Sequence, residues 1–499
     1  MELFRQWGME DDIIKKAVSQ DFWNFSWCHT MREPEIARIE NPNGEETIFS
    51  PSQRRLIAQD AVEATMYEHA KTLSLINLRF SCELQDFHET DTSVEAKVKR
   101  LDTGDFETIK ASYVIAADGG SSRVARKLDI KKEGIPCLAH QASIYFRAAL
   151  TPYSAYRPAD IYYCRDSIWI AIVNSTNRWL CIMRYNPENG ERKEDFTDDY
   201  CIGKIRHAID VPDLLIEIVN TSFWKMNAMV ANQFRKGRVF LAGDAAHTMP
   251  PTGGFGLNTG VQDSHNLAWK LAYVLKGMAD ESLLDTYEAE RKPVATSNAF
   301  WSVKNARRMW SIEESTKTKD YDVIQAFAKE QEQHLCSEGR ALGFSYASKG
   351  IISDDTSDAV FSSQNYKPNT RPGSRAPHLW LSKNGNKLST LDLFKTRFTL
   401  LTDISGSAWL EAIEGLDESI KPYIQCFTLG EGGDFKRLSN DGGLSQYGLS
   451  KGGAILVRPD GHIAWRSQTN GQNSAQKLDA VINSILNNVP LLKTDLVTR

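Results

Sequence analysis

The run Arg238-Val-Phe-Leu-Ala-Gly-Asp-Ala-Ala-His-Thr-Met-Pro-Pro-Thr-Gly-Gly-Phe-Gly-Leu-Asn-Thr-Gly-Val-Gln-Asp-Ser-His-Asn-Leu-Ala-Trp-Lys270 decides how this chain folds. An apolar strand reads up to Gly243, and Asp244 stands at its carboxyl end, where open α/β sheets bind ligands. A carboxylate there accepts hydrogen bonds from a polyol. Gly253, Gly254, Gly256 and Gly260 let the backbone approach a planar ligand closely. The helix that follows points its first amides and its positive dipole end at the same place. A ring that becomes anionic is stabilised there.

Composition bounds the remainder. At roughly 150 residues per domain, the 499 residues suggest about three folding units. Hydrophobic residues at 41% and charged residues at 25% exclude a disordered or fibrous chain. A net charge of −5 without a clustered basic excess argues against a nucleic-acid partner. The longest apolar runs, such as Ser167–Val173, are strand-sized, and a membrane helix needs about 20 apolar residues. Met1-Glu-Leu-Phe-Arg-Gln-Trp-Gly8 has no apolar core of a signal peptide. The eight cysteines (28, 82, 137, 164, 181, 201, 336 and 426) form no Cys-x-x-Cys pair, which reads as reduced core thiols in a cytoplasmic protein. On that reading the sequons at Asn24, Asn174 and Asn220 are chance.

Along the chain, residues 1–20 read as helical, 25–50 as short strands and turns, and 51–75 as a capped amphipathic helix. Ile76–Phe80 and Tyr113–Ala117 read as strands. The segment 131–235 is rich in β-branched and aromatic residues between turn signals, which predicts an antiparallel sheet. Long helices follow to about 345. The Ser-, Asp- and Pro-rich stretch 346–375 reads as a linker, and 376–499 as a mixed α/β unit with a hairpin at Gly453–Trp465 and a last helix near 475–487.

The opening run closely resembles the second flavin motif of the class A flavoprotein aromatic monooxygenases, the group of para-hydroxybenzoate hydroxylase and phenol hydroxylase. The resemblance implies FAD as cofactor, with Asp244 at the ribitol and Gly243 and Gly254 among the residues that bind it. It sets Pro251 beside the flavin ring, and the backbone amides of Gly256, Leu257 and Asn258 at its pyrimidine end. Val114-Ile-Ala-Ala-Asp-Gly-Gly-Ser-Ser-Arg-Val-Ala-Arg126 resembles the family's Asp-Gly motif, which implies that Asp118 and Gly119 touch both FAD and NAD(P)H. This chain departs from the motif in having Ala125 where the family places Arg, with Arg126 one position later. Gln59, in Gln59-Asp-Ala-Val-Glu63, matches a family glutamine on the flavin side. Leu283–Pro293 is similar to the family's next helix end, where Glu and Arg pair across a turn and Pro293 begins a helix.

The implied fold is α/β. It comprises a discontinuous Rossmann-like FAD-binding domain (1–130 and 236–345), an inserted antiparallel substrate sheet (131–235), a linker (346–375) and a thioredoxin-like tail (376–499). Cys426 is that tail's only cysteine, which leaves packing or homodimer formation as its role. The family's Gly-x-Gly-x-x-Gly turn is not found, and Met1–Gly8 resembles the segment just after that unit. The expectation is a member without its first βαβ unit, through an internal start codon or a shortened gene.

The implied reaction is hydroxylation of a small phenolic, electron-rich or polyketide-like aromatic substrate, in aromatic degradation or secondary metabolism. NAD(P)H reduces FAD, O2 gives a flavin hydroperoxide, and one oxygen atom passes to the ring. Alternatives are a flavin epoxidase or oxidase on the same fold, and a non-catalytic remnant acting as a binding or scaffold protein. Activating a phenol asks for a Tyr, His or Arg near it. Tyr145, Tyr162 and Tyr163 are candidates against the alternative of core packing. No catalytic residue is assigned. His247 reads as a structural hydrogen-bonding group and His265 as packed, and no metal-ligand spacing is visible.

Overall fold

A computed structural model describes residues 1–40, 48–154, 157–174, 176–318, 321–330, 337–354, 361–438, 447–449, 452–469 and 473–487. Cys336, part of the predicted linker and the end of the predicted tail lie outside the described residues. The chain opens with helices α1 (Glu2–Gln6) and α2 (Glu10–Lys16), strands β1 (Phe25–Cys28) and β2 (Glu35–Ile39), and helix α3 (Gln59–Lys71). A meander of β3 (Cys82–Glu89), β4 (Val94–Arg100) and β5 (Phe106–Ala111) leads to β6 (Val114–Ala116) and α4 (Arg123–Lys127). Next come β7 (Lys132–Arg147), α5 (Thr151–Ser154), β8 (Ile161–Cys164), β9 (Ile168–Ile172), β10 (Arg178–Tyr185), α6 (Asp198–Ile209) and β11 (Glu217–Ala231). The second α/β piece holds β12 (Arg235–Lys236), β13 (Val239–Leu241), β14 (His247–Thr248), α7 (Phe255–Leu275), α8 (Asp285–Thr318), α9 (Tyr321–Glu330) and α10 (Glu338–Leu342).

The largest sheet has eight strands in the order β14-β11-β7-β10-β9-β8-β1-β2. It is mainly antiparallel, as the strand patterns predict, but it extends beyond 131–235. β1 pairs in parallel with β8, Phe25 opposite Ile161, and β14 adds to β11. The recruitment follows from burial: Phe25 and Trp27 bury their rings in one apolar cluster with Tyr163, Trp169 and Met309. Period-two alternation sorts the faces. Ala142, Ile144, Phe146, Trp179, Cys181 and Met183 pack with Ile205 and Ala208 of α6 on one side. Gln141, Ser143 and Tyr145 of β7 have the opposite parity.

A smaller sheet, β12-β13-β6, sits beneath α7 and α8. β13 and β6 run parallel, Val239 opposite Val114, so both end on the same edge. β6 closes the order of that sheet, and Ile115 is 50% exposed. The helix expected over 51–75 is shorter, starting at Gln59. Ile76–Phe80 is not a strand but exposed irregular chain, with Leu75 99% and Phe80 73% accessible. Its alternation finds no partner strand among the described residues, and a strand needs a ladder as well as a pattern.

Two further expectations are corrected. Pro293 does not begin a helix but lies inside α8. Ala289 and Pro293 line an open surface groove, which keeps the carbonyl that Pro293 deprives of a donor within reach of water. The described part of 346–375 is not a free linker. Tyr346, Ile351, Ile352 and Tyr366 are buried, and Gly373 donates to the carbonyl of Ile463 and accepts from the amide of Tyr346. A Cβ at Gly373 would meet the Tyr346 carbonyl at 2.1 Å.

After an edge sheet of β15 (Trp380–Lys383), β16 (Asn386–Ser389) and a later strand, a four-stranded sheet forms from β17 (Phe398–Asp403), β18 (Ile424–Leu429), β20 (Ala454–Val457) and β21 (Ile463–Ser467). The later strand is β19 (Lys436–Arg437). Helices α11 (Ser407–Glu414) and α12 (Ser474–Asn487) cover the four strands. Trp269 and Tyr273 of α7 belong to that same core, so α7 is shared by both halves of the molecule. No helix of the described residues is long and apolar enough to cross a membrane. The described cysteines are free, and among them only Cys28, Cys164, Cys181 and Cys201 are buried. Cys137 is exposed, which corrects the expectation of core thiols there.

Candidate functional site

The site grows from two strand ends. β13 turns at Gly243, which takes φ +58 and packs against Gly260 in the second turn of α7. A Cβ on Gly260 would stand 3.2 Å from the Gly243 Cα, so any larger residue at 260 pushes helix and turn apart by a few tenths of an ångström. Asp244 follows, exposed, and its carboxylate has no hydrogen-bond partner among the described residues. Gly254 at φ +66 precedes α7 without a side-chain cap, which leaves the first amides of a 21-residue helix open. Pro251, Leu257 and Asn258 are exposed beside it, and Asn258 Nδ2 donates to the Gly254 carbonyl at 2.6 Å. A cavity of about 330 Å³ opens there, lined among others by Phe4, Arg54, Gly254, Leu257 and Asn258.

β6 delivers the second turn to the same edge. Asp118 Oδ2 accepts from the amides of Arg123 (2.8 Å) and Val124 (3.1 Å), so this carboxylate caps its own helix. Burial pushes its pKa up, but the Ser122 hydroxyl and those amides outweigh burial and hold it below the ordinary value. Gly119 takes φ +82. A Cβ on Gly120 would meet Thr248 Cγ2 at 3.0 Å, which shows how closely this turn approaches β14. Arg126, displaced by one position, folds back onto the Ser121 carbonyl. Lys132 joins the turns: its Nζ donates to the carbonyls of Gly120 (3.0 Å) and Asp244 (2.9 Å).

Gln59 stands exposed at the start of α3 and donates to Glu63 at 2.7 Å; no described contact ties it to either turn. Its neighbour Asp60 pairs with Arg178, which donates to the Tyr145 hydroxyl at 2.8 Å. Burial raises the Tyr145 pKa, with Arg178 acting against it. The other two tyrosines are core. Tyr162 donates to the Arg157 carbonyl at 2.8 Å, and Tyr163 stacks on Trp27 at 4.9 Å between centroids. Gln141, on the Tyr145 face, is 1% exposed, and neither amide atom has a partner. Thr248 Oγ1 of β14, with Ser302 Oγ and Asn305 Oδ1 of α8, is likewise buried and unpartnered.

Beneath the turns lies a hub that the sequence did not single out. Asp263, fully buried on α7, accepts from the Gly243 amide (3.2 Å) and Arg291 Nε (2.8 Å) and lies 2.6 Å from His247 Nε2. Burial raises its pKa, but Arg291 and His247 prevail and depress it. His247 is therefore held as a structural group, as expected. His265 packs near Trp7, and burial drives its pKa down to about 4. The Glu and Arg of the 283–293 segment do not pair with each other. Arg291 goes to Asp263, while Glu290 takes Lys270 (2.8 Å) and Arg458 (2.6 Å), tying α7, α8 and the C-terminal hairpin together. The available signal for Asp263 was an acid in helical register with apolar Leu267 and Leu271. For Lys132 and Gln141 there was none.

Comparison with known proteins matches residues 1–302 to a family described as FAD binding domain, and residues 369–488 to the C-terminal domain of aromatic-ring hydroxylases. A Streptomyces halstedii protein described as a polyketide hydroxylase is 37% identical over 487 residues, covering 94% of this chain and 85% of its own length. The aklavinone 12-hydroxylase RdmE of Streptomyces purpurascens is 32% identical over 506 residues, covering 97% and 90%. Among solved structures, the flavin-dependent monooxygenase PieE in complex with FAD and substrate superposes with a TM-score of 0.87 at 30% identity, covering 98% of this chain and 91% of that one.

Proposed function

From the premise that the chain belongs to the class A FAD-dependent aromatic monooxygenases, we propose that it hydroxylates a phenolic, polyketide-like substrate with FAD bound along its two strand-end turns. The observation that carries this reading is the parallel pair β6 and β13. It brings Asp118 and Asp244 to one edge, under an uncapped helix start. The residues fit the cofactor: an unpartnered carboxylate for a ribitol, glycine backbone for a close approach, and open amides for an electron-rich ring edge.

Bound FAD supplies the redox chemistry, taking a hydride from NAD(P)H and activating O2. The protein does the rest. Asp244 and Gly243 orient the ribitol, and Asp118 sets the second turn by capping α4. Pro251 and Gly254 border the ring, and the backbone of Gly256, Leu257 and Asn258 faces its pyrimidine end and stabilises negative charge there. Gln59 closes the flavin side. Tyr145, with Arg178 behind it, takes the substrate hydroxyl and favours its ionised form, while Gln141 offers a donor and an acceptor to a second oxygen. The sheet face and α8 exclude water.

In this reading the two α/β pieces form a discontinuous Rossmann-like domain, the C-terminal unit is thioredoxin-like and supports a homodimer, and the protein acts in the cytoplasm. The test is the visible spectrum of the purified chain after incubation with FAD and desalting, followed by ¹⁸O2 incorporation into a polyphenol. Retained flavin, with one labelled oxygen atom per product, is the expected result. A colourless protein, or product without label, overturns it.

A further inference from the structure

We propose that Lys132 binds the diphosphate of a dinucleotide, as the cation shared by both turns. This rests on the flavin-binding reading above. Three observations carry it. An ammonium has three donors, and Lys132 spends two, on the carbonyls of Gly120 and Asp244. No carboxylate lies within ion-pair distance of it among the described residues, so one N–H remains for a ligand. The neighbouring cations are committed: Arg123 to Glu83 and Arg126 to the Ser121 carbonyl. Each turn also brings an acid, Asp118 and Asp244, to an edge that must accept two further negative charges with a diphosphate. Lys132 offsets that repulsion. Burial lowers its pKa, with Asp244 and Asp118 acting against burial. The two carbonyl contacts aim a compact point charge, which suits a phosphate better than a planar ring.

The diphosphate comes from FAD or from the nicotinamide nucleotide, and the experiment separates them. FAD and riboflavin are titrated into the full chain and its K132M and K132R variants by flavin fluorescence. NADPH is titrated into each FAD-loaded form. A charge-assisted contact of this kind amounts to about tenfold to a hundredfold in affinity. The expected result is that loss in K132M for FAD, with riboflavin unchanged, recovery in K132R, and a gap that narrows at high salt. The same loss for NADPH, with FAD unchanged, supports the proposal and assigns the diphosphate to the nicotinamide nucleotide. Riboflavin falling in step with FAD overturns it, leaving only a clip between turns, and so does equal affinity of wild type and K132M for both nucleotides. No saturable FAD binding by the wild-type chain overturns the flavin reading itself, and this proposal with it.

Discussion

Asp263→Asn removes one charge and almost no volume, and its effect follows from the hub. Asp263 serves three partners: the Gly243 amide, the His247 ring and the Arg291 guanidinium. Asparagine has one acceptor oxygen and must turn its NH2 toward one of them. Arg291, fully buried, then has no anion, although it keeps the Thr259 carbonyl and the Tyr346 hydroxyl. Breaking a buried pair in this way costs about 3–5 kcal/mol, set against a domain stability of about 5–15 kcal/mol. Because Gly243 is released as well, FAD affinity falls with stability. The D263N/R291M double variant leaves no orphaned charge, so it is more stable than the sum of the single losses by about 2 kcal/mol. Urea unfolding followed by tryptophan fluorescence, with FAD titration beside it, measures both. The carboxyl is held below its ordinary value, so the hub's contribution is complete above about pH 4 and is lost as pH falls through the depressed value. The acid limb of the stability curve is therefore shallower in D263N. A single-variant loss below about 1 kcal/mol, or a double variant equal to the sum, refutes the reasoning.

Gly260→Ala drives a Cβ against the Gly243 backbone and costs about 1–3 kcal/mol; FAD retention after desalting, lower than in wild type, checks it. Tyr145→Phe keeps the ring but removes the hydroxyl that meets Arg178, and we expect a kcat about 10²-fold lower, with FAD affinity unchanged, from steady-state kinetics. Asp160 is pushed up to about 7 by burial, with Arg54 acting against it, so its ionised form burdens the fold increasingly from about pH 4 to pH 7. Asp160→Asn therefore raises the melting temperature at pH 8 and leaves it unchanged at pH 4.

What could be read from residues alone was whatever is written within one segment. The Gly243–Asp244 turn, the glycines before α7 and the Asp118–Gly119 turn are local patterns, and the structure places both turns on one edge. What depends on a distant partner was not legible. Ile76–Phe80 alternates like a strand, yet among the described residues it has no ladder to join. Tyr145, Tyr162 and Tyr163 look equivalent in sequence. Strand β8 is covered on both faces, so Tyr162 and Tyr163 fall into different cores, while Tyr145 sits on the face of β7 turned toward Arg178. Glu and Arg of 283–293 read as partners across a turn, but Glu290 and Arg291 are each taken by charges from elsewhere, Glu290 by Lys270 and Arg458 and Arg291 by Asp263. Lys132 gains its meaning only when β6 and β13 bring their turns beneath it.

The rim at β6 has a consequence for the molecule in company. Among the described residues, one side of this strand is paired with β13 and no strand pairs with its other side, next to the half-exposed Ile115. Leu75, Ile76, Leu78 and Phe80 add exposed apolar surface. Unpaired strand edges with apolar surroundings are templates for another chain's strand. Association between copies of the chain is therefore expected to begin at this rim. Light scattering should climb with protein concentration while the circular dichroism of the fold stays constant, and a charged residue in place of Ile115 should suppress the climb.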